Sequence, residues 1–213
     1  MTKTIFQLLL LFAFFNSIAQ NSKFELGPEI GLNISDFRYI EARYVQGYSI
    51  ERISFGLVGK FNFSRNWAIK SKLKYEGKGI LNENEWDTGS VIQKLNYLVM
   101  PIMAEWRLGK GNLQGFFNFG AYGARLISAK REYYLNSIRG EKDTTDNKDE
   151  FKPYDLGLAG GVGIIYQLKN NLKITLDLGG QLGLSPVDSG YRSNTGWRAN
   201  QHLTGNIGLL FGL

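Results

Sequence analysis

The chain has 213 residues, of which 26 are glycine and only 4 proline, with 14% aromatic side chains and a formal net charge of +6. It contains no cysteine, which excludes disulfide bonds, thiolate metal sites, a cysteine nucleophile and a lipid-modified N-terminal cysteine. The length suits a single domain. Abundant glycine beside abundant tyrosine and phenylalanine favours an all-β structure over a helical enzyme.

The N-terminus predicts a cleavable signal peptide over residues 1–19, which leaves an exported domain over residues 20–213. Lys3 supplies a positive charge, residues 8–15 (LLLLFAFF) are apolar, and Ser17 and Ala19 suit the small-residue positions of a cleavage site. The apolar run is much shorter than the about 20 residues of a spanning helix. The alternative is a buried N-terminal helix or strand. An exported chain without a spanning helix is either soluble or crosses a membrane as a closed barrel.

The remaining chain alternates apolar and polar residues with a period of two, which predicts β-strands. In chain order, the strands are expected near residues 24–35, 53–63, 69–78, 94–107, 113–128, 154–166, 172–184 and 203–213. The fourth and fifth alternate least regularly. In these two we place Leu98, Met100, Ile102, Trp106, Phe117 and Phe119 on the apolar face, opposite Glu105, Arg107, Asn118 and Gly120. Pro28 and Pro101 each remove a hydrogen-bond donor, which predicts a bulge near them.

The connections between these strands alternate in length. Short ones are expected near residues 64–66, 108–112 and 169–171, and long ones near residues 36–50, 79–92, 129–152 and 185–200. Outer-membrane barrels have short periplasmic turns and longer extracellular loops. The order therefore predicts an all-β, eight-stranded antiparallel up-and-down transmembrane β-barrel.

The residue types on the two faces indicate which one meets lipid. One face is bulky and apolar, whereas the other mixes glycine and small residues with charges of both signs. An eight-stranded barrel has interior room only for side chains, and buried charges must be paired. We therefore expect a packed polar lumen containing Lys60, Lys70, Lys72, Lys74, Lys78, Arg107, Lys173, Glu25, Glu29, Glu76, Glu105, Asp155 and Asp177. The alternative is a soluble exported barrel that binds a small apolar ligand.

Aromatic residues fall where membrane interfaces are expected. Trp67 and Trp106 lie beside short turns, and Tyr75 and Tyr154 lie nearer the long-connection end. Aromatic girdles of this kind flank the apolar band of outer-membrane barrels.

Several segments together resemble the PorT-like outer-membrane β-barrel proteins of Gram-negative bacteria. They are residues 27–37 (GPEIGLNISDF), 97–108 (YLVMPIMAEWRL), 116–130 (FFNFGAYGARLISAK), 155–168 (DLGLAGGVGIIYQL) and 181–187 (QLGLSPV). The resemblance implies an outer-membrane location, with outer-membrane lipid around the barrel. It also suggests an accessory role with envelope proteins in secretion or assembly, although no motif carries that role over.

The last residues resemble the C-terminal insertion signal of outer-membrane barrels. Asn206, Gly208, Phe211 and Leu213 fit its pattern, with leucine in place of the usual terminal phenylalanine. The resemblance implies recognition by the β-barrel assembly machinery, whereas the alternative is an ordinary final strand.

Three features could carry chemistry. His202, the only histidine, could act with Ser185 or Ser193 in a lipid-modifying hydrolase, but we favour a hydrogen-bonding role in the lumen or at its rim. The lysine series from Lys70 to Lys78 could form an anion channel or a nucleic-acid patch, but its period of two favours interior salt bridges. Residues 141–150 (EKDTTDNKDE) lack the spacing of a calcium loop and are expected to form a solvated extracellular loop.

The sequence therefore predicts a monomeric, non-enzymatic outer-membrane barrel without a cofactor or a nucleic-acid partner. It would act as a surface scaffold or interaction protein through four long extracellular loops. Aromatic residues in loops often mark contacts. The candidates are Tyr39, Tyr44, Tyr48, Tyr133, Tyr134, Tyr191 and Trp197.

Overall fold

The computed structural model describes residues 23–40, 47–83, 90–134, 142–189 and 197–213. The predicted signal peptide, together with Tyr44, Tyr191 and Ser193, lies outside these ranges. The described strands are β1 (Phe24–Ile40), β2 (Tyr48–Asn62), β3 (Trp67–Glu83), β4 (Ser90–Leu108), β5 (Leu113–Tyr134), β6 (Lys142–Asp146), β7 (Tyr154–Lys169), β8 (Leu172–Gly183) and β9 (Trp197–Gly212). No helix in these ranges is long and apolar enough to cross a membrane.

Eight of these strands close into a barrel. Every neighbouring pair is antiparallel, β1 pairs with both β2 and β9, and β4 pairs with β5. The short strand β6 pairs with the end of β5 above β7. Closure satisfies the backbone groups of every wall strand, which the lipid interior requires. The predicted eight-stranded antiparallel barrel is confirmed.

The apolar face of the wall points outward. Leu178 and Leu203 expose 68% and 69% of their surface, whereas Glu105 and Asp155 on the opposite face expose none. The facing predicted for the fourth and fifth strands is also correct, because Met100 and Phe119 are exposed and Asn118 is buried. A soluble barrel needs the reverse arrangement, so the apolar-ligand alternative is wrong.

The strands continue well beyond the predicted ends on the long-connection side. β1 reaches Ile40, β3 reaches Glu83 and β5 reaches Tyr134, so much of the sequence assigned to long loops is wall. The expected connections at residues 36–50, 79–92, 129–152 and 185–200 are therefore too long. The alternation fails there because inward positions such as Ile80 and Leu95 become apolar and fully buried.

The acidic segment at residues 141–150 is also ordered differently from the prediction. Within it, Lys142–Asp146 forms β6 and Lys148–Glu150 forms a single 3-10 turn. Gln93 and Asn147 exchange two side-chain hydrogen bonds of 2.9 and 3.1 Å, and Arg131 forms an ion pair with Glu150. These contacts hold the segment against the end of the barrel. It is a strand and a turn rather than the predicted loop, although its side chains at residues 143–146 and 148–150 are exposed.

The prolines cause gaps in pairing rather than bulges. The β1–β2 register runs unbroken through Pro28, and the β4–β5 register runs unbroken through Pro101. On its other side each proline is skipped by the ladder without a shift in register, because it offers no N–H group. The register shifts fall elsewhere, between Ser49 and Ser54, between Asn96 and Tyr97, and between Gln167 and Lys169.

Candidate functional site

The centre of the lumen contains a continuous set of ion pairs, which we call the lumen charge network. The inward lysines of β3 form the central row of this network. Lys70 and Lys72 both donate to Asp177 of β8, at 2.6 and 3.0 Å, and Lys72 also donates to Glu29 of β1 at 2.8 Å. Every second residue of a strand faces the same side, so a lysine series with period two meets carboxylates from several facing strands.

The network continues toward both ends of the barrel. Toward the short turns, Lys60 pairs with Glu105 at 2.8 Å and Lys173 pairs with Glu25 at 2.5 Å. Toward the long connections, the Lys78 ammonium lies 3.4 Å from the Asp155 carboxylate. All the charged side chains predicted for the lumen point into it, and all but the half-buried Lys173 are buried.

The burial of this network excludes an open pore at its level. Lys70 exposes 1% of its surface and Glu105 none, whereas a water-filled channel would leave them accessible. A cavity of about 30 Å³ beside Lys72, Asn118 and Asp177 has room for ordered water only. The lysines therefore serve interior salt bridges, and the channel and nucleic-acid alternatives for them are wrong.

Above the charged centre the lumen changes character. An apolar group, the upper cluster, fills the long-connection end of the barrel. Its members include Phe37, Ile80, Leu95, Tyr97, Val99, Leu126, Phe151 and Val187, each at most 4% exposed. The expectation of an entirely polar lumen is wrong at this level. One signal was present in the sequence, because the run at residues 97–103 is apolar on both faces.

Two connecting segments cover the upper cluster, and we call residues 147–153 and 184–189 the cap. They are joined by backbone hydrogen bonds from Lys152 to Val187 (2.7 Å) and from Ser189 to Glu150 (2.9 Å). Phe151 forms an isolated β-bridge with Asp188 and inserts its ring into the upper cluster. The cap thus closes the mouth with a hydrogen-bonded, apolar-sealed layer.

The candidate contact aromatics within the described ranges lie on strands rather than loops. Tyr48 is exposed at the start of β2, Trp197 is half-buried at the start of β9, and Tyr39 lies in β1. Tyr133 and Tyr134 end β5, where the Tyr134 hydroxyl donates to Glu132 at 3.0 Å. The loop placement predicted for these five is wrong, because the strands extend further than expected. Their role in contacts stays a prediction.

His202 is buried in the lumen, 3.7 Å from the Glu76 carboxylate, as the favoured interpretation placed it. Neither ring nitrogen has a hydrogen-bond partner among the described residues, so the location predicted for His202 is confirmed but its predicted hydrogen-bonding role is not found. Ser185 donates instead to Asp155 at 3.1 Å. Ser35, the cross-strand partner of His202, donates to the Gly79 carbonyl at 3.2 Å. No described serine is therefore hydrogen-bonded to His202.

The residues of the predicted insertion signal end the last strand. Asn206 points into the lumen and accepts a hydrogen bond from Lys74 at 2.7 Å, whereas Leu213 is exposed. A Cβ atom at position 208 would lie 2.8 Å from the Thr175 hydroxyl oxygen, so glycine leaves room for Thr175. Phe211 is half-buried. Recognition of this segment during insertion stays a prediction.

Aromatic rows mark both edges of the outward apolar band. Near the short turns, Trp67 and Trp106 are cross-strand partners with ring centroids 6.3 Å apart. Near the long connections, Tyr75 and Tyr154 lie in one cross-strand row with Leu98 and Arg125 between them. These rows fit the two membrane interfaces of an outer-membrane barrel.

Solved structures share this fold. Neisserial surface protein A matches with a TM-score of 0.51 at 9% identity, over 90% of this chain and 98% of its own. OprG from Pseudomonas aeruginosa matches with a TM-score of 0.51 at 12% identity, over 91% and 98%. Outer membrane protein W of E. coli matches with a TM-score of 0.50 at 12% identity, over 92% and 100%. At such identities the likeness concerns the fold alone.

No curated protein matches the sequence. A family model does match, over residues 18–189, and it describes an outer membrane protein beta-barrel domain. The match covers most of the chain and agrees with the closed barrel, the outward apolar band and the aromatic rows. The chain belongs to the outer membrane protein beta-barrel domain family and is a protein of the outer membrane.

Proposed function

We propose that the protein is a non-enzymatic scaffold that acts through its extracellular surface. The observation that carries the proposal is the double closure of the lumen, by the lumen charge network and by the upper cluster. Such a barrel offers no route for a solute through its lumen. Its contacts with other molecules would therefore be made on its outer surface. Above the wall, β6 and the cap form a folded surface that is held to β4 and β5 by the Gln93–Asn147 and Arg131–Glu150 contacts.

The proposal also covers the processing, assembly and group membership of the chain. We infer a mature domain from residue 20, a monomeric barrel, insertion by the assembly machinery, and membership of the PorT-like group with an accessory role beside envelope proteins. The exposed aromatics Tyr48 and Tyr134 are candidate contacts on this surface. The family supports insertion by the assembly machinery, and the apolar leader before Ala19 supports a mature domain from residue 20.

Two measurements test the scaffold role. The purified barrel in a planar bilayer should show no stable single-channel conductance, whereas reproducible open steps would contradict the proposal. In cells, residues 142–146 would be replaced by a flexible linker of equal length, and crosslinked envelope proteins would be compared with those of the wild type. We expect a specific crosslinked partner to be lost.

The matched control for the crosslinking changes the short turn at residues 109–112, on the opposite side of the membrane. That variant should keep the partner. Both variants must still show heat-dependent mobility on a gel, which reports a closed barrel. Equal crosslinking in all three proteins would remove the extracellular surface from the proposal.

A substitution of His202 tests whether the protein modifies lipids. His202→Gln should leave the composition of the outer-membrane lipids unchanged, because neither ring nitrogen of His202 is hydrogen-bonded to a described serine. Loss of one lipid species in cells that carry a folded His202→Gln barrel would favour the hydrolase alternative instead.

A further inference from the structure

The outward face of the wall bears a cluster of positive charge, which we call the outer basic patch. It consists of Arg52, Lys94, Arg125 and Lys130, on β2, β4 and β5. Arg125 and Lys130 are exposed, and Lys94 is half-buried. The Arg52 guanidinium joins the patch by donating to the outward Asn96 at 2.6 Å.

The height of this patch follows from the lipid-facing residues beneath it. On β4 the outward apolar positions run from Leu108 to Leu98. Ten residues at about 3.3 Å each, tilted by about 40°, span about 25 Å, the height of the apolar band of such barrels. Lys94 lies four residues further along β4, about 10 Å above the edge of the band, at the level of the lipid headgroups.

Arg125 lies at the edge itself. It is in the row with Tyr75 and Tyr154, which marks the upper interface. Ile127, on the same outward face of β5, is 43% exposed. The patch therefore begins at the hydrocarbon boundary and extends upward, on the side of the wall that faces lipid rather than on the mouth of the barrel.

The charges of the patch are not balanced by carboxylates among the described residues. Lys94 and Lys130 are direct cross-strand partners, and like charges in that position repel each other. Lys94 pairs with Glu132 at 2.6 Å. Within the described ranges, neither Arg125 nor Lys130 forms an ion pair. Asp146 is the cross-strand neighbour of Lys130 on β6. Glu51, beside Arg52, is exposed and is the cross-strand partner of the outward Ile34. Among the described residues, four cations against three carboxylates leave a net charge of +1.

We propose that the outer basic patch binds the phosphate groups of phosphorylated lipids in the outer leaflet. A phosphate oxygen between Lys94 and Lys130 would relieve their repulsion, and guanidinium groups bind phosphate strongly. The acyl chains of the same lipid would lie on Leu98 and Ile127 below. This inference is separate from the scaffold role, since it concerns the lipid-facing wall and not the surface above it.

The test uses diphosphoryl lipid A as the probe and the full-length mature barrel in a neutral detergent. Native mass spectrometry would measure the lipid A concentration at half-occupancy. Each Lys or Arg near an anionic lipid surface contributes about fivefold in affinity. The variant Arg125→Gln/Lys130→Gln should therefore require roughly 25-fold more lipid A, and the further change Lys94→Gln should bring this to roughly 100-fold.

The matched control removes three exposed cations from the short-turn side, with Arg65→Gln, Lys110→Gln and Lys169→Gln. It should bind lipid A as the wild type does. Equal half-occupancy for the wild type and the folded Arg125→Gln/Lys130→Gln barrel would overturn the proposal and favour an acidic soluble partner. Binding of inorganic phosphate as tight as that of lipid A would also overturn it, because the site would then recognise a free anion.

Discussion

The lumen charge network and the upper cluster fill the same tube by opposite means. In the network, buried lysines and carboxylates from six strands neutralise one another. In the upper cluster, apolar side chains pack as in a soluble protein, beneath a cap that is hydrogen-bonded across its top. The stability of the network therefore depends on every charge keeping its partner, whereas the stability of the cluster depends on side chains that fill the space.

The largest effect is expected from breaking the network at Asp177. Asp177→Ala removes the carboxylate shared by Lys70 and Lys72 and leaves buried positive charge without its partner. Such a loss costs about 3–5 kcal/mol in free energy of unfolding. Urea unfolding in lipid vesicles measures it. A loss below about 1 kcal/mol would show that water reaches these lysines.

A smaller effect, confined to one end, is expected from the upper cluster. Phe151→Ala removes the ring that the cap inserts into the lumen. The variant should lower the free energy needed to open the cap by up to about 3 kcal/mol. Hydrogen exchange should accelerate in residues 147–153 and 184–189 while the amides of β3 and β8 stay protected. Uniform acceleration through the barrel would mean that the two regions unfold as one unit.

A third variant converts part of the network into an apolar contact. Lys70→Met with Asp177→Leu removes both charges of one pair, while Lys72 keeps Glu29 as its partner. Replacing a buried ion pair by apolar residues is often neutral or stabilising. We expect the double variant to unfold within about 1–2 kcal/mol of the wild type. A double variant as unstable as Asp177→Ala would show that Lys72 requires both carboxylates.

The smallest effect is expected at the surface of the cap. The ion pair between Arg198 and Asp188 is partly exposed, at 30% and 24% of the two side chains. Exposed pairs contribute about 0–1 kcal/mol because water and salt screen them. Asp188→Asn should therefore change urea unfolding by less than about 1 kcal/mol. A larger loss would assign Asp188 a part in closing the mouth.

Particular residues show how far the sequence predicted this protein. The alternation of Lys70, Lys72 and Lys74 with apolar neighbours was sufficient to predict both the face and the burial of the charge network. The alternation was not sufficient at Ile80, Leu95 and Phe151, because an inward apolar residue gives no sign of whether it meets lipid, water or a cap. The tyrosines at 48, 133 and 134 were assigned to loops because the strands extend further than the alternation indicates.

The closed barrel, the direction of its faces and the identity of the buried charges follow from the amino-acid pattern. A period of two is a local property of an extended chain. With lipid outside and a narrow lumen inside, the barrel is stable only when the apolar face points outward. Tertiary structure alone decided how far the strands rise, how residues 147–153 and 184–189 meet over the upper cluster, and how Arg125 comes into line with Tyr75 and Tyr154. These features depend on register between strands distant in sequence, and no local pattern encodes that register.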